Sequence, residues 1–207
     1  MSQTSAGEKA FSQHLETLFA CRLCPKVLGE PVTGAVPRAE VMLVGQAPGP
    51  REVVERRPFA YTAGQRLFQW FAELGVDEQT FRHSVYMGAV IRCFPGKDPK
   101  SGGDRVPSPE EIANCSSHLD REIRILAPKL VIAVGTLAAI QFLGEGVLSK
   151  VVGRLHRVRR ADKELDLIVL PHPSGRSTWL NKPEHAKLLR TSLQLIAGHE
   201  AWRRTFS

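Results

Sequence analysis

The sequence predicts an α/β protein with a mostly parallel, four-stranded sheet sandwiched by helices. Short apolar runs of buried-strand type recur along it, segments of helical periodicity alternate with them, and two of the runs end in turns rich in Gly, Pro and Ser. Its 207 residues, 43% hydrophobic and 24% charged, suit a single domain over 1–207 with one substantial core.

Phe11, Leu15, Leu18 and Phe19 stand at helical spacing and lead into the loop CRLCPKVLGEPV, marked by its Pro and Gly. VMLVG at 41–45 is the first strand, followed at once by the turn-forming QAPGP. Open α/β sheets bind ligands at such strand ends. Thr62 and Gln65 are expected to form a capping box, followed by the stripe Leu67, Phe68, Phe71 and Leu74 and a stop at Gly75. VYMGAVIR at 85–92 is the second strand. The next stretch, rich in Pro and Gly, stays a loop until Ser108, Pro109 and Glu111 supply an N-cap, an N1 proline and a capping-box partner. Ile112, Cys115, Leu119, Ile123 and Leu126 then share one helix face. LVIAVG at 130–135 is the third strand, Thr136 is expected to cap a short helix, and DLIVLPHP at 166–173 is the fourth strand, with His172 at its end. A last helix runs from about Pro183 to Ile196 and stops at Gly198. The densest basic run, GRLHRVRR at 153–160, reads equally as a solvated hairpin edge or a DNA-facing surface.

Lys and Arg number 28 against 21 Asp and Glu, a formal +7 that favours polyanionic partners. The N-terminal residues lack the order of a signal peptide and no long apolar run occurs, so a cytoplasmic, soluble protein without a membrane partner is expected. In that setting Cys21, Cys24, Cys93 and Cys115 are not expected to form disulfides. Cys21 and Cys24 form a C-x-x-C that lets two thiolates grip a metal from one turn. Cys115 on an apolar face also fits a small core residue, but four cysteines with none left over argue for one shared metal site. Zinc and iron-sulfur both accept four thiolates; the wide separation of Cys93 and Cys115 favours a [4Fe-4S] cluster, with zinc the lesser alternative.

Two loops carry candidate chemistry. Gly45 to Gly49, G-Q-A-P-G, puts a polar side chain and free backbone N–H groups at a strand end, able to hold a phosphate, a base edge or a water. His172 to Ser177, H-P-S-G-R-S, offers a His and a Ser, but Ser174 lacks the elbow of a hydrolase nucleophile.

The ordered set C-R-L-C, G-Q-A-P-G, R-P-F with T-A-G, R-C-F-P-G, P-S-P-E-E before Cys115, and a closing H-P-S resembles the uracil-DNA glycosylase superfamily, in its iron-sulfur families four and five, over nearly the whole chain. The resemblance implies a monofunctional enzyme of base-excision repair that flips a nucleotide out of DNA and hydrolyses its N-glycosidic bond. It makes His172 the donor to the base anion, Phe59 the aromatic that stacks on the base, and Gln46 the residue contacting the base or its water. Gly45, Ala47 and Ala89 complete the base site, Ser174 and Gly175 hold phosphate, and Arg176 either fills the gap left by the flipped base or binds phosphate.

Two departures stand out. Ala47 occupies the position where the best-known branch has a water-orienting Asp, so Glu52, matching an acidic position of family four, is the candidate in its place. Ala89 stands where family four has an Asn that reads uracil, which makes hypoxanthine or xanthine an alternative substrate. The partner implied is DNA containing uracil or another deaminated base, and a monomer is expected. A non-catalytic binder of damaged or single-stranded DNA, or a redox protein, are the other classes the residues allow.

Overall fold

The computed structural model describes residues 2–175 and 177–207, with side chains from Ala6 onward. In chain order the elements are α1 (Ser2–Phe19), β1 (Val41–Gly45), α2 (Pro50–Glu55), α3 (Thr62–Ala72), α4 (Glu78–Ser84), β2 (Tyr86–Ala89), α5 (Pro109–Leu126), β3 (Leu130–Val134), α6 (Thr136–Leu143), α7 (Leu148–Val151), β4 (Leu155–Arg160), β5 (Lys163–Leu170), α8 (Pro183–Gly198) and α9 (Glu200–Phe206). The four predicted strands form a parallel array in the order β2-β1-β3-β5. A fifth, β4, pairs antiparallel with β5 at the edge, so the basic run is half of a hairpin. Arg160 on it donates to Asp120 at 2.7 Å.

Every residue of β1, β2 and β3 is buried, because helices cover both faces of the sheet and leave no side of the pleat for polar residues. Alternation splits the strands between two cores. Val41, Leu43, Met87, Ile132 and Ile168 pack with the stripes of α3, α4, α8 and α9, whereas Met42, Val44, Tyr86, Val131 and Val169 pack with α1, α5 and α6. Phe71 stacks on Phe81 with centroids 4.3 Å apart, joining α3 to α4.

α5 begins as its residues predict, with Ser108 and Glu111 forming the reciprocal capping box and Pro109 in the first turn. Two expected caps are corrected. Thr62 and Thr136 are already helical, and Tyr61 and Gly135 are the N-caps, with no side-chain cap bond at either. At Gly135 the backbone takes φ +88, a conformation open to glycine and not to Thr. β2 is also shorter than predicted: past Ala89 the chain turns over β1, where Val90 N–H donates to the Gly45 carbonyl at 2.9 Å.

Candidate active site

Because β1, β3 and β5 run parallel, their carboxyl ends and the loops that follow open on one side of the sheet. A cavity of about 110 Å³ lies there, lined by Gly45, Gln46, Ala47, Phe59, Ala89 and His172, with Glu52 and Asp104 at its wall. Pockets for whole drug-sized ligands run from about 300 to 1,000 Å³, so this slot suits one small planar ring. The predicted site residues from three separated loops therefore do converge. The slot opens into a broad groove that Ser174 and Gly175 border. Arg176 lies outside the described residues.

His172 leaves β5 at its end, and the Ser174 backbone N–H donates to its Nδ1 at 3.2 Å. An Nδ1 that accepts is unprotonated, so the neutral ring carries its proton on Nε2 as a donor. Burial pushes the His172 pKa below its usual value, which keeps that neutral form. Phe59 adopts φ +51, strained for a non-glycine residue. Arg82 of α4 holds this turn by donating to the carbonyls of Pro58 at 2.8 Å and Phe59 at 2.9 Å. Two glycines make room for it: a Cβ at Gly64 would stand 1.9 Å from the Phe59 carbonyl oxygen, and one at Gly45 would stand 3.0 Å from the Phe59 ring. No motif pointed to Arg82.

Glu52 is the third residue of α2, from where its carboxylate reaches back to the backbone of the N-cap Gly49. Its Oε2 accepts from the Gly49 N–H at 3.0 Å and its Oε1 from the Ala60 N–H at 2.9 Å. Both oxygens thus tie the Gly45–Gly49 loop to the turn that carries Phe59. Glu52, the candidate for placing the water, therefore has both oxygens engaged in bracing these loops. Asp104, which sequence reasoning missed, comes from the loop before α5, and its only sequence signal was a carboxylate in a turn rich in Gly.

On the other side of β2, Cys21, Cys24, Cys93 and Cys115 line a single cavity of about 320 Å³ between the end of α1, the loop after β2 and α5. Burial and the neighbouring thiols push the Cys93 thiol up to about 12, and burial raises Cys24 and Cys115 as well. Asn114 Nδ2 stands 3.8 Å from Cys24 Sγ.

Between the two cavities lies a buried polar group absent from the sequence reading. Arg92 pairs with Glu122, which also meets His14 Nε2 at 3.1 Å, and Arg92 Nη1 donates to the Ala89 carbonyl at 2.5 Å. Burial opposes ionisation of Glu122, but Arg92 and then His14 outweigh it and hold the carboxyl below its usual range. Gly88 accommodates the guanidinium, since a Cβ there would lie 2.6 Å from Arg92 Nη1. The available signal was a charge on an apolar face: Glu122 between Leu119 and Ile123, and His14 between Phe11 and Leu18.

A neutral histidine, a strained aromatic and two carboxylates gather at the strand ends of an α/β sheet, where a slot the size of a small ring opens into a broad groove. Residues 31–194 match the model of the uracil DNA glycosylase superfamily. The chain is 30% identical over 169 residues to the type-4 uracil-DNA glycosylase of Archaeoglobus fulgidus, covering 76% of this chain and 78% of that one. It is 32% identical over 192 residues to the type-4 enzyme of Sulfurisphaera tokodaii, covering 87% and 80%. With the type-5 uracil-DNA glycosylase of Thermus thermophilus it shares 29% over 167 residues, covering 66% and 73%. The protein belongs to the uracil DNA glycosylase superfamily.

Proposed function

We propose that this protein excises uracil from DNA by hydrolysing the N-glycosidic bond, leaving the strand intact. The observation that carries the reading is His172, held neutral by burial with its donor fixed on Nε2, in the same slot as Phe59. As the bond breaks, negative charge gathers on the departing base and positive charge on the sugar. A fixed donor in a site screened from water stabilises that anion without reorganising, worth roughly 2.7–4 kcal/mol for a single donor. Phe59 offers a face for the flipped base, with stacking worth about 1–3 kcal/mol. Gln46 contacts the base edge, with the backbone of Gly45 and Ala47 beside it, and Glu52 braces the two loops. Ser174, Gly175 and Arg176 engage the phosphates and the vacated stack, and the protein works as a monomer.

The four cysteines suit a [4Fe-4S] cluster. Zinc would need its sulfurs converged at about 2.3 Å on one ion. A cube of iron and sulfide takes four thiolates at wider mutual spacing around a cavity such as this one. When bound, it supplies the positive charge that keeps four crowded thiols deprotonated and ties α1, the loop after β2 and α5 together.

No polar side chain stands at Ala89 to read a uracil edge, which favours a substrate range extending to hypoxanthine or xanthine. No helix among the described residues is long and apolar enough to cross a membrane. One panel tests the reading: purified protein against DNA carrying uracil, hypoxanthine or xanthine, with iron and zinc measured on the same sample. Free base from the uracil strand and an iron-bearing, coloured protein are expected. Salt-sensitive binding without released base would identify a binder and overturn the enzymatic reading. A colourless protein with one zinc per chain would overturn the cluster.

A further inference from the structure

We propose that Asp104 is the carboxylate that orients and deprotonates the attacking water, an inference that rests on the glycosylase reading above. Hydrolysis needs a water near the sugar and a negative group facing the charge that develops there. The ring slot and the outer groove share a few lining residues, and the ionisable ones among them are Glu52, Asp104 and His172. With the base in the slot and the phosphates in the groove, the sugar passes through that junction. His172 belongs to the departing base, and both Glu52 oxygens already accept backbone N–H groups that hold the loops.

Asp104 has an oxygen to spare. Its Oδ1 accepts from Lys97 Nζ at 2.6 Å, while no hydrogen bond to Oδ2 is present among the described residues. Oδ2 lies over the G-Q-A-P-G loop: a Cβ added at Gly49 would stand 3.1 Å from it. That gap exists because residue 49 is glycine. The turn is built to hold this position, since Asp98 N–H donates to the Gly103 carbonyl at 2.7 Å, Arg105 N–H to the Gly96 carbonyl at 3.0 Å, and Lys97 and Asp104 form a bridge pair. Asp98 Oδ1 closes the turn by accepting from the N–H groups of Lys100 and Ser101, each at 2.8 Å.

In the step, the water oxygen forms a bond to the sugar C1′ and passes a proton to the Asp104 carboxylate. The C1′–N bond breaks with its electron pair leaving on the base, which His172 stabilises and solvent protonates. Asp104 returns its proton to solvent. The departing base thus has one partner and the incoming water another.

The test is single-turnover base release from uracil-containing DNA by full-length wild type, Asp104→Asn and Asp104→Glu, each followed from acid to alkaline pH, with DNA affinity and melting measured alongside. Asn keeps the shape and an acceptor for Lys97, so a structural role survives the change while the base does not. Expected are a loss of about 100-fold or more in Asp104→Asn, the range of general-base catalysis, and disappearance of the acid limb that reports carboxylate ionisation. Affinity and melting stay unchanged, and Asp104→Glu retains more rate than Asn together with the limb. A rate in Asp104→Asn within threefold of wild type, or a slow variant with the wild-type pH profile, overturns the assignment. Absence of base release by wild type would instead overturn the glycosylase reading.

Discussion

Replacing His172 by Ala removes one donor, and the structure sets what that donor is worth. The ring is buried, its Nδ1 is occupied by the Ser174 N–H, and its pKa lies below the usual value, so Nε2–H is aimed and neutral before substrate arrives. A donor organised in this way contributes close to the full value of an oxyanion-hole group, so the variant loses roughly 100- to 1,000-fold in rate. Truncation at the slot leaves the sheet untouched, because His172 lies beyond the last residue of β5. The assay is release of free base with enzyme in excess, with DNA affinity measured separately; the loss falls on the rate and not on affinity. The sign of the pH dependence follows from the same geometry. Because the folded pKa is depressed, the neutral donor persists as pH falls through about 6.5, where an exposed histidine charges, and the wild-type rate shows no step there. A His172→Ala rate within threefold of wild type, or a step near pH 6.5 that the variant abolishes, would refute the reasoning.

Glu122→Gln leaves the Arg92 guanidinium buried without its counter-charge, and denaturant unfolding should register a loss of about 3–5 kcal/mol. Since the folded pKa of Glu122 is lowered, its stabilisation is fully present above the unfolded carboxylate value and is lost as pH falls through the folded one; the gap between variant and wild type should therefore narrow below about pH 4. Phe59→Ala should cost about 1–3 kcal/mol in the activation free energy of base release; an unaltered rate would remove it from the base site. Ala89→Asn should raise the preference for uracil over hypoxanthine in competition assays by about 5- to 150-fold, as expected for a new base-edge hydrogen bond of about 1–3 kcal/mol; an unchanged ratio would show that position 89 does not face the base.

The secondary elements that local chemistry dictates were legible in the sequence. The buried runs at β1, β2, β3 and β5 have no alternative use for so many apolar residues, and the α5 capping box reads directly from Ser108, Pro109 and Glu111. The missed elements are short or polar. α4 has one buried residue, Phe81, too few for a periodic signal, and β4 alternates exposed and half-buried positions with four charged or His residues among its six, so its polarity masked a strand. The loop motifs and the resemblance they carried named the slot residues, but their convergence depends on three parallel strands ending on one side of the sheet.

By itself, the sequence determined which side chains exist to do chemistry: four cysteines without a spare, a histidine at a strand end, and a Gly-Pro loop after the first strand. Tertiary structure alone decided their states and partners. It buried His172 and set its tautomer, bound both Glu52 oxygens to main chain, clamped Phe59 at positive φ with Arg82 from another helix, and brought Asp104 across to Gly49. The physical reason is that protonation, hydrogen-bond occupancy and strain depend on burial and on neighbours remote in the chain, and local periodicity carries no record of either.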